Sequence, residues 1–580
     1  MFRLVTTIFA LSIGCVAAGE RIWQPIIDYT ISFPGDRPDA APMINSFENF
    51  THFSSDFGWM GPGENRIDSQ GGIIRVKPGP QWTGAWHSLA GLANQNKRTL
   101  DPRNLIGLGQ SEKLHAKILE LNLNASGHGT LRLELADATR QVVWSTTIEL
   151  NNEQTVTYPY PIGLEKIGRI KFMNWIAEPD CDAKISSIGF IVEKPQLSPE
   201  EWAFYISLGK LRRCHNADNG LTRDRGHLRS GEFDSIASTG MHALGSALGV
   251  AEGLLDRELV SSEISQTIQT LLELPRAAGL FPHFSYQAQS GELTIHPNTE
   301  YSSIDTSIAL HGLLLATQLL ELEDLNRQVV AMISEIDFDS FTDKEGWIGH
   351  GFLDDGITPL TSVWRDWGGE TALVLALEAM IPDRETRGKM NQSGEVYRGV
   401  GFISEIQSLF YPDFDRREPD LISKVSWPEK RGQLLEQQIR YIPNTWPESA
   451  AARAGIFGLS SGEAGMPGAG YSANGLGVAG VRWLYPHYML MGLALSGGGR
   501  YHIGLDQLNA AGLLYPLGLP ENIEVELKLH NPMQGSLNAA FETLSAYHGW
   551  RQRNTPENHL DQASLKNPTI RKAAARFYRQ

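Results

Sequence analysis

Residues 185–213 read ISSIGFIVEKPQLSPEEWAFYISLGKLRR, and within them the chain changes its period. Up to Lys194 the apolar residues follow the spacing of a half-buried strand. Leu197-Ser198-Pro199-Glu200-Glu201 then carries a helix start: Ser198 can cap, Pro199 suits the first turn, and Glu201 holds the reciprocal position of a capping box. On the N-terminal side, from Arg21 to Pro195, short segments of strand character recur (GGIIRVKPG, KLHAKILELNLN, GTLRLELAD, QVVWSTTIEL, QTVTYPY), broken by Gly, Asn, Asp and Pro. So many strands without intervening helices predict a β-sandwich or jelly roll over residues 21–195, a candidate carbohydrate-binding domain. Trp82 and Trp86 in GPQWTGAWHS are either a platform for sugar or supply the sandwich's core tryptophan.

Beyond Ser198 the spacing is helical, over 200–213, 236–255, 263–274, 303–320, 325–333, 370–380, 434–440, 449–459, 486–495, 505–514, 537–547 and 568–578. No strand alternates with each helix, which argues against a TIM barrel or doubly wound sheet. Helices in this number over residues 198–580 predict an (α/α)6 toroid, with long loops building a cleft at one end.

The chain begins MFRLVTTIFALSIGCVAAGE: a basic residue at Arg3, a short apolar run and small residues before Ala18. This reads as a signal peptide over residues 1–18, with a periplasmic or secreted destination. Ser12-Ile13-Gly14-Cys15 is a degenerate lipid-attachment box, which leaves an outer-membrane lipoprotein as the lesser alternative. No later run is apolar for long enough to span a bilayer. Cys181 and Cys214 would remain, either as a disulfide or as two buried thiols. No Cys/His cluster marks a metal, and no cofactor is implied. The formal net charge of −16 argues against nucleic acid as a partner and is compatible with a neutral polysaccharide or oligosaccharide. Protein partners leave no sign.

Tryptophans, carboxylates and histidines concentrate at the ends of the apolar helices. In GLFPHFSYQAQSGELTIHPNTEYSSIDTSIALHGLLLA, His283 precedes Glu300-Tyr301, and Asp305 sits one turn inside an apolar helix. An Asp there must be satisfied or functional. In KEGWIGHGFLDDGITPLTSVWRDWGGETALVLALEAM, Trp347, His350, Trp364 and Trp367 flank Asp366 and Glu370. Apolar surroundings raise the pKa of Glu370 and the helix N-terminus lowers it; the sequence leaves that contest open. In YIPNTWPESAAARAGIFGLSSGEAGMPGAGYSANGLGVAGVRWLYPHYMLMGLAL, Trp446 and Glu448 lead into a small-residue helix, and Tyr471 precedes His487. The glycines there match no phosphate loop, and Ser461 lies in no nucleophile elbow. Paired carboxylates with aromatics suit cleavage of a glycosidic bond. One carboxylic acid protonates the leaving oxygen and a carboxylate activates water or attacks carbon.

GLFPHF, EYSSIDTSIALHGLLLA, GWIGHGF, WGGETALVLALEAM, SLFYPDF, FGLSS and YPHYMLMGLAL, in this order, resemble the glycoamylase-like domain family. That family includes bacterial endo-β-1,2-glucanases and domains of cyclic β-1,2-glucan synthases. The resemblance implies an (α/α)6 toroid and an inverting two-carboxylate glycoside hydrolase of β-glucan, β-1,2-linked glucan first. It further implies Glu370 as general acid, with Asp305 and Glu300 positioning sugar or activating water. His283, Tyr301, Trp347, His350, Trp364, Asp366, Trp367, Trp446, Glu448, Tyr471 and His487 are the expected substrate contacts. The chain departs from the family at Gly368-Gly369-Glu370-Thr371, where Tyr-Ser-Glu-Gly is usual. It departs again at 461–467, where a D-G-P-type loop is usual. The alternatives are a non-catalytic glycan-binding or exopolysaccharide-assembly protein, and a polysaccharide lyase.

Overall fold

The structure is a computed structural model and describes residues 21–25, 57–62, 64–70, 73–88, 117–137, 139–161, 172–193, 197–225, 233–288, 292–463, 471–514, 518–527, 530–531 and 535–579. The expected signal peptide and Cys15 lie outside the described residues.

Strands β1 (Arg21–Pro25), β2 (Phe57–Met60), β3 (Ile67–Gln70), β4 (Ile73–Val76), β5 (Thr83–Ser88), β6 (Lys117–Ala136), β7 (Val142–Pro161), β8 (Phe172–Ala177) and β9 (Asp182–Glu193) form one antiparallel sheet. Its order is β2-β5-β8-β6-β9-β4-β3, with β1 added on β9 and β7 on β6. This is a single sheet curled into a half-barrel, not the two facing sheets expected of a sandwich or jelly roll. The cause is β6. Over its 20 residues it pairs first with β9 and then with β8, so strands that would divide between two sheets stay joined. Its register against β7 shifts between Ala125 and Gly127. Gly127 has φ +127°, and a Cβ there would meet the Asp182 carbonyl oxygen at 2.0 Å, so the chain can turn that tightly only with glycine. Leu131, Leu133 and Leu135 alternate into the core with Trp175, which is fully buried. Trp175 is therefore this domain's core tryptophan. Trp82 is 39% exposed, and half-buried Trp86 meets the edge of Phe172 at 5.5 Å beneath the Arg140 guanidinium.

The helices are α1 (Pro199–Arg213), α2 (Ile236–Ala251), α3 (Arg257–Glu273), α4 (Ser303–Leu319), α5 (Glu323–Ser334), α6 (Gly369–Met380), α7 (Gly401–Phe410), α8 (Trp427–Thr445), α9 (Ala450–Ala454), α10 (Pro486–Ser496), α11 (Tyr501–Ala510), α12 (Ser536–Arg551), α13 (His559–Lys566) and α14 (Pro568–Phe577). Ser198 and Glu201 form the reciprocal cap of α1, the Ser198 N–H donating to Glu201 Oε2 at 2.9 Å and the Glu201 N–H to Ser198 Oγ at 3.2 Å. Helix α7 was not expected from sequence. Its GFISEIQSLF carries Ser404, Glu405, Gln407 and Ser408, all buried, which hides its helical period. Helix α9 is shorter than the expected 449–459, because Gly455 stops it in the left-handed conformation at φ +70°.

Helices α2, α4, α6, α7, α10 and α12 are nearly all buried, and each packs on the next in that order, α12 closing back on α2. Around them, α1 packs on α12 and α2, α3 on α2, α5 on α4, α8 on α7 and α10, α11 on α10, and the C-terminal α14 on α6. Helix α13 crosses the C-terminal side of α4 and α2, and the Asn567 amide that follows it reaches Gln318 in the last turn of α4 at 3.3 Å. The N-terminal ends of α2, α4, α6 and α12 share the opposite side. The Ile236 N–H donates to His283, the His283 N–H to Glu300, Ser307 Oγ to Leu373, and Ser536 Oγ to Ser238. No described helix is long and apolar enough to cross a membrane. Cys181 and Cys214 are buried thiols and no disulfide joins them.

The α1–α12 contact is clamped by charge. Lys210 Nζ lies 3.0 Å from Glu542 Oε2 and donates to the Leu519 carbonyl at 2.7 Å, while Glu542 Oε1 also accepts from Ser207 and the Leu519 N–H. The two side chains are 2% and 0% exposed. Breaking such a pair strands a buried charge. Glu542→Ala is expected to lower the unfolding free energy by about 3–5 kcal/mol in urea titrations, and Lys210→Met combined with Glu542→Leu to recover most of it.

Candidate active site

The N-terminal end of the buried helices gathers the carboxylates. Ser302 caps α4 by accepting from the Asp305 N–H at 3.2 Å, and its hydroxyl donates to Asp305 Oδ2 at 2.5 Å, so the cap orients the acid. Strand β10 (Asp234–Ser235) begins α2, and β11 (Phe284–Gln287) pairs with it and with β12 (Leu293–Ile295). That hairpin holds His283, whose ring stacks on Phe284 with centroids 3.8 Å apart. His283 Nδ1 lies 3.0 Å from Glu300 Oε1, and its Nε2 lies 3.5 Å from Asp305 Oδ1. Burial opposes the imidazolium, but Asp305, Glu300 and Asp224 outweigh it and push its pKa up to about 9. The hydrogen bond from His283 chiefly holds Glu300 below the usual carboxylate range. Burial raises Asp305, against the pull of His283 and Ser302.

Glu370 stands in the first turn of α6. Burial chiefly, then the charges of Asp305 and Asp366, pushes its carboxyl up to about 8. The contest that the sequence left open is thus won by burial. The site holds one carboxyl pushed up and one held down by their surroundings, the separation that acid–base chemistry uses.

His283, Glu300 and Asp305 offer donor atoms within 4.8 Å of one another, and they are the described residues that could hold a metal. The imidazole faces the two acids through different nitrogens.

Of the expected contacts, Tyr301 is 6% exposed, forming β13 (Tyr301–Ser302) against β14 (Gly351–Phe352). His350 packs on Trp364 at 4.1 Å and feels Asp366 and Glu300, with burial lowering its pKa. Trp364 Nε1 donates to Ser303 Oγ at 2.8 Å, which fixes this pair to the start of α4. Trp347 lies under the Arg365 guanidinium at 5.5 Å, and Asp366 is exposed. Tyr471 is 58% exposed and feels the charges of Glu521, Glu370 and Asp224. Other expected contacts stand elsewhere. Trp367 is fully buried and stacked on Trp427 at 4.3 Å, so in this conformation its faces serve packing, not sugar. His487 is 2% exposed, bonded through Nε2 to Ser460 Oγ at 3.1 Å, and burial pushes it down to about 3. It props the chain ahead of α10 as a neutral ring. Trp446 donates to the Val481 carbonyl at 3.0 Å beneath Arg482, and Glu448 is exposed beside it.

The sequence reading missed Asp224. Its N–H donates to Phe233, and its carbonyl accepts from the Ser536 N–H at 2.8 Å, which ties it between α2 and α12. Burial raises its carboxyl, opposed by Arg225, His283 and His296. It lies in a charged, non-periodic stretch, TRDRGHLRSGEFDS, where no helix start or aromatic neighbour singles it out.

No protein-family model and no curated protein matches the sequence. Solved structures do match the fold. A β-1,2-glucanase from Parabacteroides distasonis aligns with a TM-score of 0.54 at 10% identity, over 90% of this chain and 97% of that one. An endo-β-1,2-glucanase from Chitinophaga pinensis, in complex with sophorotriose and glucose, aligns at 0.53 and 12% identity over 66% and 98%. A provisionally assigned glucoamylase from Bacteroides uniformis aligns at 0.54 and 13% identity over 66% and 97%. At these identities the likeness is one of fold.

A carboxyl raised from 4.5 to about 8 binds its proton more tightly in the folded chain, so stability falls as pH rises across that interval. The imidazolium of His283, raised from 6.5 to about 9, contributes stability that is complete below 6.5 and lost as pH rises through 9. Glu370→Gln removes only the first penalty. It is expected to leave stability at pH 4.5 little changed and to raise it by about 2 kcal/mol at pH 9, read by thermal melts at both pH values.

Proposed function

We propose that the chain is an inverting glycoside hydrolase of β-glucan, with β-1,2-linked glucan the first substrate, on an (α/α)6 toroid of the glycoamylase-like family. The observation that carries this reading is the gathering of Glu300 and Asp305 on the two ring nitrogens of His283, at 3.0 and 3.5 Å, with Glu370, whose carboxyl burial pushes up to about 8, feeling the charge of Asp305. The circular packing order of the buried helices supports the toroid. The β-1,2-glucanases of like fold support the substrate class.

In this mechanism Glu370 gives its proton to the glycosidic oxygen as the C1–O bond breaks, and the ring passes through an oxocarbenium-like transition state. Water attacks C1 from the opposite face and gives its proton to a carboxylate of the Asp305–Glu300 pair, so one proton leaves the acid and one arrives at the base. Trp347, Trp364 with His350, and Tyr471 are the aromatic subsites. Asp366 and Tyr301 shape the same wall. A polysaccharide lyase would need a neutral base, and a histidine pushed up to about 9 is a poor one at neutral pH. The reading of residues 1–18 as a signal peptide places the enzyme in the periplasm or outside the cell.

Protein lacking residues 1–18 is expected to release short oligosaccharides from linear β-1,2-glucan in preference to β-1,3- and β-1,4-glucans. Glu370→Gln is expected to lose about 10²–10⁴-fold in kcat with the fold intact. The kcat/KM of the unmutated protein should decline above pH 8 as the acid loses its proton. Cleavage of none of these glucans overturns the assignment; full activity of the Gln variant overturns the role of Glu370.

A further inference from the structure

A histidine with a carboxylate oxygen at each ring nitrogen has little choice of state. Neutral imidazole carries one N–H, so its other nitrogen would turn a lone pair toward a carboxylate. At His283 Glu300 Oε1 takes one nitrogen in a hydrogen bond at 3.0 Å, and Asp305 Oδ1 faces the other at ion-pair distance, 3.5 Å. The backbone leaves the ring no easy retreat: the His283 N–H donates to the Glu300 carbonyl at 2.8 Å, its carbonyl accepts from the Ile236 N–H, and Phe284 stacks on its face.

We propose that His283 is a positioning residue, an imidazolium anchored at both nitrogens that holds Glu300 and Asp305 as carboxylates and leaves Glu370 as the carboxyl that carries the proton. The proposal rests on the glycoside hydrolase reading above and assigns what sorts the protons within it. Neighbouring charges act on the ring from each side. Asp224 and Arg225 lie after α1 and His296 lies after β12. Glu300 and Asp305 flank α4's first turn, with His350 close to Glu300 and Glu370 close to Asp305. Among these groups Asp224 strengthens the imidazolium. Without the cation, two carboxylates would share a small space and one would retain a proton near neutral pH, competing with Glu370 for the role of acid.

Two measurements test this. Nitrogen-15 spectra of the full chain labelled at histidine should show His283 with both nitrogens protonated at pH 7 and titrating only near pH 9. A neutral ring at pH 7 overturns the proposal, whatever the protein cleaves. In the second, kcat and KM on β-1,2-glucan are followed from pH 4 to 9 for the parent, His283→Gln and His283→Arg. His283→Gln should move the acidic limb of kcat/KM upward by about 1–2 pH units, with the loss in kcat, and His283→Arg should restore the limb. An unchanged limb with a uniform loss marks a structural role, and a loss confined to KM marks a sugar contact; either overturns the proposal. Absence of cleavage by the parent fails the hydrolase reading, while the spectra still decide the state of the ring.

Discussion

Helices α2 and α4 touch backbone to backbone, and the site depends on that approach. A Cβ on Gly312 would lie 2.3 Å from the Gly240 carbonyl oxygen, and one on Gly240 would lie 2.2 Å from that of Ala309. No side chain fits between them. The two helix starts consequently stand side by side, close enough for a short hairpin to bridge them and set His283 between residues that belong to the second. The helix N-termini also place positive partial charge where the carboxylates collect, which favours their ionised forms. At Asp305 and Glu370 burial outweighs the helix end, whereas the hydrogen bond from His283 holds Glu300 down.

The same helices carry many buried polar groups, and ion networks satisfy them. Glu405 in α7 meets Arg431 of α8 and accepts from Ser496 of α10, and Arg431 continues to Asp415, which Arg553 also reaches. Glu378 at the end of α6 is held by Arg576 of α14 and by the Arg387 and Gly388 N–H groups. The C-terminal helix thus braces the helix that presents Glu370, from the far end. Such pairs add geometry more surely than net stability, since the desolvation of each charge offsets most of the attraction.

Much of this was open to a reader of residues. The change of period at Ser198, its capping box, and the carboxylates at the starts of α4 and α6 follow from local rules of spacing and capping. Local rules also explain the failures. Helix α7 hid because Glu405 and Ser408 find partners on α8 and α10 while Gln407 bonds within the helix, and the fate of Trp367 depended on a facing Trp427 some sixty positions on. Asp224 had no local mark, because its neighbours in space come from the far side of the sequence. Strand β6 looked like two ordinary strands, whereas its unbroken length joins what a sandwich would separate.

Residue order alone therefore settled where the chain passes from strands to helices, most of the helices, and which acids sit at helix starts, because those are matters of neighbouring residues and their hydrogen bonds. The protonation states were decided elsewhere. Whether a carboxyl keeps its proton is set by how much water it loses and which charges stand within a few ångströms, and only the packed chain brings His283 between Glu300 and Asp305 with half-buried Glu370 nearby.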